Sequence, residues 1–411
     1  MLARIKNKYI ISMIFETIHN KKKLNIIKYN KKLKNKLNIT KEDFENYISL
    51  QEFNEEYNLN INDIDIRELN LKEKNIGNEG LEYLGRINFF NIRNLNLSFN
   101  DITILDLLAN LNYQSLEELD LSGNNFSDIQ IINKVDLRNL KLLNLSYNNI
   151  IDIKILKKVK FNELEYLYLN HNIINNINVL AKVNFTKLKI IDLGKNDIIN
   201  IKVLEKVNFQ NLLELKLYSN KIKNIDILKK VNFKKLELLD LYSNEISNID
   251  ILEQVNFEEL KILFLSLNQI SDINVLKNVK FNKLTNLLLG YNNISDIDIL
   301  KDVNFPQLKY LDLSGNKISD INVLQNVNFK ELIGLNLSEN NISDINVLGY
   351  INFKKLEELY LNNNKISEIN ILGKVNFPKM KKLNLIKNNI KIEDYSTIIN
   401  NLEQNIEEFN I

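Results

Sequence analysis

Few residues in this chain are of types that do chemistry. It has no cysteine, and its two histidines, His19 and His171, stand far apart in sequence. A zinc-type cluster and a Cys–His or Ser–His nucleophile pair therefore lack their parts. No Gly-rich phosphate loop of the form G-x-x-x-x-G-K occurs. One evenly spaced set of titratable residues is Asp192 and Asp240 with Lys216 midway between them. We read these as solvated strand positions, with Lys216 pairing to both carboxylates across a ladder. Neither a cofactor nor a metal is expected, and the chain is expected not to be an enzyme.

The even spacing of those three residues belongs to a larger pattern. A 24-residue unit, L-x-x-L-x-L-x-x-N-x-I-x-x-I-x-x-L-x-x-V-x-F-x-x, starts at Ile92 and recurs from Leu116 to Met380. An imperfect copy begins 26 residues earlier, at Ile66. A fixed period of this length marks a solenoid, in which each unit buries its apolar face against its neighbours. Length alone would predict two or three domains, but a solenoid grows without splitting. Apolar residues make up 45% of the chain, enough for a continuous core.

Each column of the unit has a physical role, seen in the copy that starts at Leu260. Leu263 and Leu265 are two apart and share one face of a short strand, while Ile262, Phe264 and Ser266 point the other way. Ile270, Ile273 and Leu276 follow at three-residue spacing, then Val279, which fits a 3-10 or single-turn helix. Ser271 and Asp272 are placed to cap that turn. Phe281 belongs to a ladder running from Phe161 to Phe377 that should line the interior. The Asn column runs from Asn100 through Asn268 to Asn388; only the first copy departs, with Lys74 there.

These columns resemble the leucine-rich repeat over roughly residues 66–395. The resemblance implies an α/β solenoid, a horseshoe with one parallel strand per repeat, short helical or 3-10 segments on its convex side and a small N-terminal helical cap. It also implies that the Asn side chain turns inward and bonds backbone of neighbouring turns. That suits an amide, which both donates and accepts. The first copy, Asn75 to Gly80, looks like the longer ribonuclease-inhibitor type of repeat.

Three segments are expected: an N-terminal helical one over 1–60, the solenoid of about 14 repeats over 61–395 and an acidic C-terminal cap over 396–411. Residues 10–37 read as two short amphipathic helices, with a third over Asp43–Leu50. The stretch from Ile14 to Leu33 resembles a divergent F-box, although it lacks the opening Leu-Pro. That resemblance implies a ubiquitin-ligase substrate receptor; the simpler role is a cap on the first repeat. The repeat also resembles that of phosphatase-regulatory proteins. Residues 1–40 carry a net charge of +10 and the rest −8. The repeats thus form no basic stripe, and no nucleic acid is expected. No apolar run approaches a membrane span, and the N-terminus lacks a cleavable leader pattern. With no cysteine, a reducing compartment is expected, the cytoplasm or the nucleus. A monomer is expected.

Function should lie where the repeat varies, on strand positions facing the concavity. Both ends of that surface are small and polar. Its middle gathers Tyr166, Tyr168, His171, Tyr218, Tyr242, Phe264, Leu267, Leu288, Tyr291 and Tyr310. At about 4.8 Å per strand, Tyr168 to Leu288 spans roughly 24 Å, the size of a peptide or helix. Tyrosine buries a ring and keeps a wet hydroxyl, as protein interfaces require. A partner protein on this face is the expected ligand.

Overall fold

The computed structural model describes Asn30 and residues 41–111, 114–375 and 377–411. The expected helices over 10–37, and the F-box-like segment with them, lie outside the described residues. The chain divides into two compact units, residues 1–164 and 165–411.

The first unit holds helix α1 (Lys41–Glu56), strand β1 (Glu68–Asn70), helix α2 (Gly77–Leu84) and strands β2 (Asn94–Asn96), β3 (Glu118–Asp120) and β4 (Leu142–Asn144). The four strands run parallel in chain order. Helix α1 extends beyond the expected Asp43–Leu50. Leu50 and Phe53 on α1 are fully buried, and Phe53 packs on Tyr57, whose ring meets Tyr83 of α2 edge-on. Asn46 accepts the backbone N–H of Asn88. The apolar end of the first repeat is therefore covered by α1. That repeat carries a true α-helix, α2, where the later ones carry 3-10 turns. This matches its departure from the 24-residue unit at Lys74.

The second unit contains β5 (Tyr166–Tyr168), β6 (Ile190–Asp192), β7 (Glu214–Lys216), β8 (Leu238–Asp240), β9 (Ile262–Phe264), β10 (Asn286–Leu288), β11 (Tyr310–Asp312), β12 (Gly334–Asn336), β13 (Glu358–Tyr360), β14 (Lys382–Asn384) and β15 (Glu408–Asn410). Helix α3 (Ser396–Asn405) precedes β15, which pairs with β14 as the last parallel strand. Equivalent residues face each other along the ladder, as in Asp240↔Phe264 and Phe264↔Leu288. Parallel strands need a crossover, and here each is one turn of the coil.

The copy at Leu260 shows how sequence sets that turn. Leu260, Leu263, Leu265, Ile270, Ile273, Val275, Leu276 and Val279 all point inward and are buried. The three-residue spacing gives a 3-10 turn at Asn274–Lys277. Asp272 accepts the Asn274 N–H at 2.8 Å and opens that turn, while Ser271 is exposed. Phe185, Phe209, Phe233, Phe257, Phe281, Phe305, Phe329 and Phe353 are at most 3% exposed. Phe377, at the end of the column, is only half-buried.

The asparagine closes the coil. Asn268 Nδ2 donates to the carbonyls of Leu241, Leu265 and Ser266 at 2.9, 3.1 and 3.3 Å, and its Oδ1 accepts the Ile246 N–H at 3.0 Å. One side chain thus ties its own strand end to the previous repeat. Buried backbone that loses such a partner costs about 1–3 kcal/mol per group.

Two outcomes follow for urea unfolding. Phe257→Ala is expected to destabilise by about 3–5 kcal/mol, as for a fully buried ring; a loss below about 1 kcal/mol would place the ring outside the core. Asn268→Asp keeps size and shape but removes the amide donor, and its carboxylate would face carbonyl oxygens. It is expected to cost more at pH 7 than at pH 4, where a protonated carboxyl donates again. Equal cost at both pH values would contradict the donor role.

Candidate functional site

All ten residues singled out from the sequence lie in the second unit. Tyr242, Leu267, Tyr291 and Tyr310 are exposed, at 38–45%. Tyr166, Tyr168, His171, Tyr218, Phe264 and Leu288 are half-buried, so Phe264 stands out less than expected. The expectation for the charged group fails in part, since Asp240 is half-buried and Lys216 still pulls on both carboxylates. Asp192 is only 7% exposed, not solvated, and Lys216 pairs with Glu214 on its own strand, at 2.7 Å. Strand residues two apart share a face, so Glu214 reaches the ammonium first.

The central strand column, read from sequence as free to vary, turns out to be partly scaffold. Asp192, Asp240, Asp312 and Asn336 each accept the backbone N–H of the second residue along, at 2.9, 3.0, 2.9 and 3.1 Å. Asn96, Asp120, Asn144 and Asn384 do the same. At those repeats a short polar side chain satisfies the first amide beyond the strand. A signal was present in sequence, since Asp or Asn recurs there and is often followed two residues later by Ser. Tyr168, Lys216, Phe264, Leu288 and Tyr360 offer no such acceptor, so the departures from scaffold cluster in the second unit.

A second feature was missed. The residue before each ladder asparagine adopts left-handed backbone, with φ near +55° at His171, Leu267 and Tyr291. Bulky side chains rarely adopt it, and strain of this kind costs on the order of 1–3 kcal/mol per residue. Only Gly123 and Gly315 relieve it in this column. Leu267 and Tyr291 are held outward at that cost.

Rings also lie over glycines one repeat away. A Cβ added at Gly194 would fall 2.1 Å from the Tyr218 ring, at Gly315 2.5 Å from Tyr291 and at Gly334 2.7 Å from Tyr310. The missing side chain makes room for the neighbour's ring to lie down on the ladder. Tyr291 Oη then donates to Glu339 Oε1 at 2.8 Å, two repeats on. The His171 and Tyr218 rings meet edge-on at 6.5 Å. Burial pushes the His171 imidazole below its usual range, with Lys195 adding to the effect. Burial likewise raises the Tyr168 phenol. The first unit carries a smaller version that sequence reading passed over: Phe99 lies over Gly123, and Phe99 and Tyr147 are both exposed, 6.5 Å apart.

No group of three or more His, Asp and Glu side chains among the described residues is arranged to hold a metal. No helix among them is long and apolar enough to cross a membrane. What the face offers chemically is apolar area, hydroxyls and two costly carboxylates.

The carboxylates give a pH prediction. Burial raises Asp192 from 3.8 to about 6, against the opposing pull of the Gly194 N–H and Lys216; Asp240 is raised for the same leading reason. A raised folded-state value means the folded chain holds the proton longer than the unfolded one. The contribution of Asp192 to stability thus falls as pH rises from about 4 to about 6 and is flat above. Asp192→Asn keeps the acceptor for the Gly194 N–H, as Asn144 and Asn336 do in their repeats. It is expected to stabilise the chain at pH 7.5 by about 1–3 kcal/mol and to flatten that slope. A destabilised variant at pH 7.5 would mean the Asp192 charge is needed.

Family models for leucine-rich repeats match residues 114–129, 282–326 and 306–366. No curated protein matches the sequence. Among solved structures, an internalin of Listeria monocytogenes is 29% identical with TM-score 0.65, over 81% of this chain and 93% of its own. A leucine-rich-repeat protein of Leptospira interrogans is 23% identical with TM-score 0.63, over 85% of this chain and 96% of its own. The leucine-rich-repeat ectodomain of the plant receptor kinase GASSHO1/SCHENGEN3 of Arabidopsis thaliana, in complex with Casparian strip integrity factor 2, is 22% identical with TM-score 0.50, over 75% of this chain and 43% of its own. The 24-residue repeat and the parallel ladder agree with these likenesses, and the chain is built of leucine-rich repeats.

Proposed function

We propose that the side-chain face of strands β5–β11 binds a partner protein and carries out no catalysis. The carrying observation is that this stretch abandons scaffold residues for aromatic and apolar ones. Tyr168, Phe264 and Leu288 replace the Asp or Asn that elsewhere accepts a backbone N–H, and Tyr242, Leu267, Tyr291 and Tyr310 stand exposed around them. Such replacements forgo a hydrogen bond and expose apolar surface, both of which cost stability. A bound partner offsets that cost. Rings laid over glycines are also ordered in advance, so little side-chain entropy is lost on binding. The plant relative solved in complex with Casparian strip integrity factor 2 supports a protein ligand for this fold.

The test is affinity. Once mass spectrometry of proteins captured on the full chain names a partner, calorimetry would compare Tyr242→Ala, Leu267→Ala, Tyr291→Ala and Tyr310→Ala. At least one is expected to lose about 2 kcal/mol of binding, while each folds within about 0.5 kcal/mol of the parent. Lys277→Ala and Lys301→Ala, on the exposed 3-10 turns, are expected to bind as the parent does. Unchanged affinity in all four variants would place the interface off this face.

A further inference from the structure

Around β9 and β10 the face takes a specific form. Three columns run across strands β8–β11 in register. The central one reads Asp240, Phe264, Leu288, Asp312. The next reads Tyr242, Ser266, Gly290, Ser314. The turn column holds Leu267 and Tyr291. Small Ser266 and Gly290 thus form a floor between apolar walls, closed by a carboxylate at each end.

The donors of the floor lack acceptors, although the Asp312 carboxylate and Ser314 hydroxyl lean over Gly290. Ser266 is 6% exposed, and its Oγ is buried with no hydrogen-bond partner. In the equivalent place Ser98, Ser122 and Ser338 donate to Asn96, Asp120 and Asn336 at 2.6–2.7 Å. Phe264 has removed that acceptor for Ser266, and Leu288 has removed its counterpart for Gly290. Among the described residues, the backbone N–H groups of Ser266 and Gly290 have no acceptor either. Buried donors left so are costly, and a group that supplies an oxygen gains the full difference.

Charge narrows the choice of oxygen. Asp240 and Asp312 each lie one strand from the floor, about 4.8 Å away, so a carboxylate ligand is repelled. A neutral amide or main-chain carbonyl oxygen is accepted. The same two carboxylates attract cations.

We propose that this trough binds an extended segment of the partner protein with an apolar, amide-bearing centre and a basic residue on each side. The centre displaces the half-buried Phe264 ring, rests on Leu288 and Leu267 and gives an oxygen to the Ser266 and Gly290 donors. The basic groups sit over Asp240 and Asp312. Those are three strand spacings apart, about 14 Å, which an extended chain covers in about four residues. The motif is therefore basic, three residues, basic. This inference rests on the partner-binding reading of the face.

Selection of a random nine-residue peptide library on the full chain tests it, with Phe264→Asn and Phe264→Ala as variants. Both remove the ring, but only Asn restores the acceptor seen in the Asn336 repeat. Phe264→Asn is expected to melt about 2 °C or more above Phe264→Ala; equal melting would show that the donors already have partners and would overturn the proposal. Peptides of the basic–apolar–basic pattern are expected to be enriched on the parent chain and to bind Phe264→Asn at least tenfold more weakly. Enrichment of acidic peptides also overturns it. So do peptides indifferent to Phe264→Asn yet lost with Tyr242→Ala or Tyr310→Ala, which would leave the face as a binding surface but not this trough. Enriched peptides indifferent to every one of these substitutions would remove both readings.

Discussion

The inward asparagine of each repeat is the interaction on which the rest depends. A coil of 24 residues must end its strand, reverse and return without leaving buried backbone unpaired. A single amide does this by donating to carbonyls of two successive repeats and accepting an N–H from the earlier one, as Asn268 does for Leu241, Leu265 and Ile246. Because the bonds cross between repeats, each one also fixes register. The leucine and phenylalanine columns then stack in line, and the hydrophobic effect supplies the bulk of the stability. Lys–Glu pairs spaced by 24, such as Lys283–Glu259 and Lys261–Glu237, decorate the same register but are exposed and add little.

That division of labour explains where function sits. Inward columns are bound by packing and satisfaction of backbone, so they vary only among apolar types, as with Phe126 in the isoleucine column and Leu137 in the phenylalanine column. Outward strand positions are only half free, since Asp or Asn there caps the strand end. The repeats from β5 to β11 break this second rule at Tyr168, Lys216, Phe264 and Leu288. Lys216 shows that a break is not always a binding feature, because Glu214 pairs with it locally. Phe264 and Leu288 have no such local account, and their loss of the acceptor leaves Ser266 Oγ stranded.

Much of this was legible in sequence because period and residue type carry it. The strand at Ile262–Phe264, the 3-10 turn after Ile273 and the buried Phe257 follow from spacing alone. The asparagine's inward turn came through resemblance to a family and was borne out atom by atom. The division at Leu164 was not legible, since the period runs through it unchanged. Nor was the left-handed backbone at Leu267 and Tyr291, because glycine, its usual marker, is absent there. Asp192 was misjudged for a related reason: an outward-pointing residue is solvated only if its neighbours are short, and its ladder neighbours Tyr168 and Lys216 are not. Ring-over-glycine pairs such as Tyr310 with Gly334 were in principle readable as an aromatic and a glycine 24 apart.

The central claim is that binding occurs where the scaffold's hydrogen-bond pattern lapses. Hydrogen–deuterium exchange of the full chain, with and without a saturating partner or selected peptide, measures this at the backbone itself. The account predicts that the amides of Ser266 and Gly290 exchange faster than those of Ser314 and Ser338 in the free chain, and that protection on binding centres on residues 262–268 and 286–292. Equal exchange at all four amides, or protection confined to the outer 3-10 turns, would contradict it.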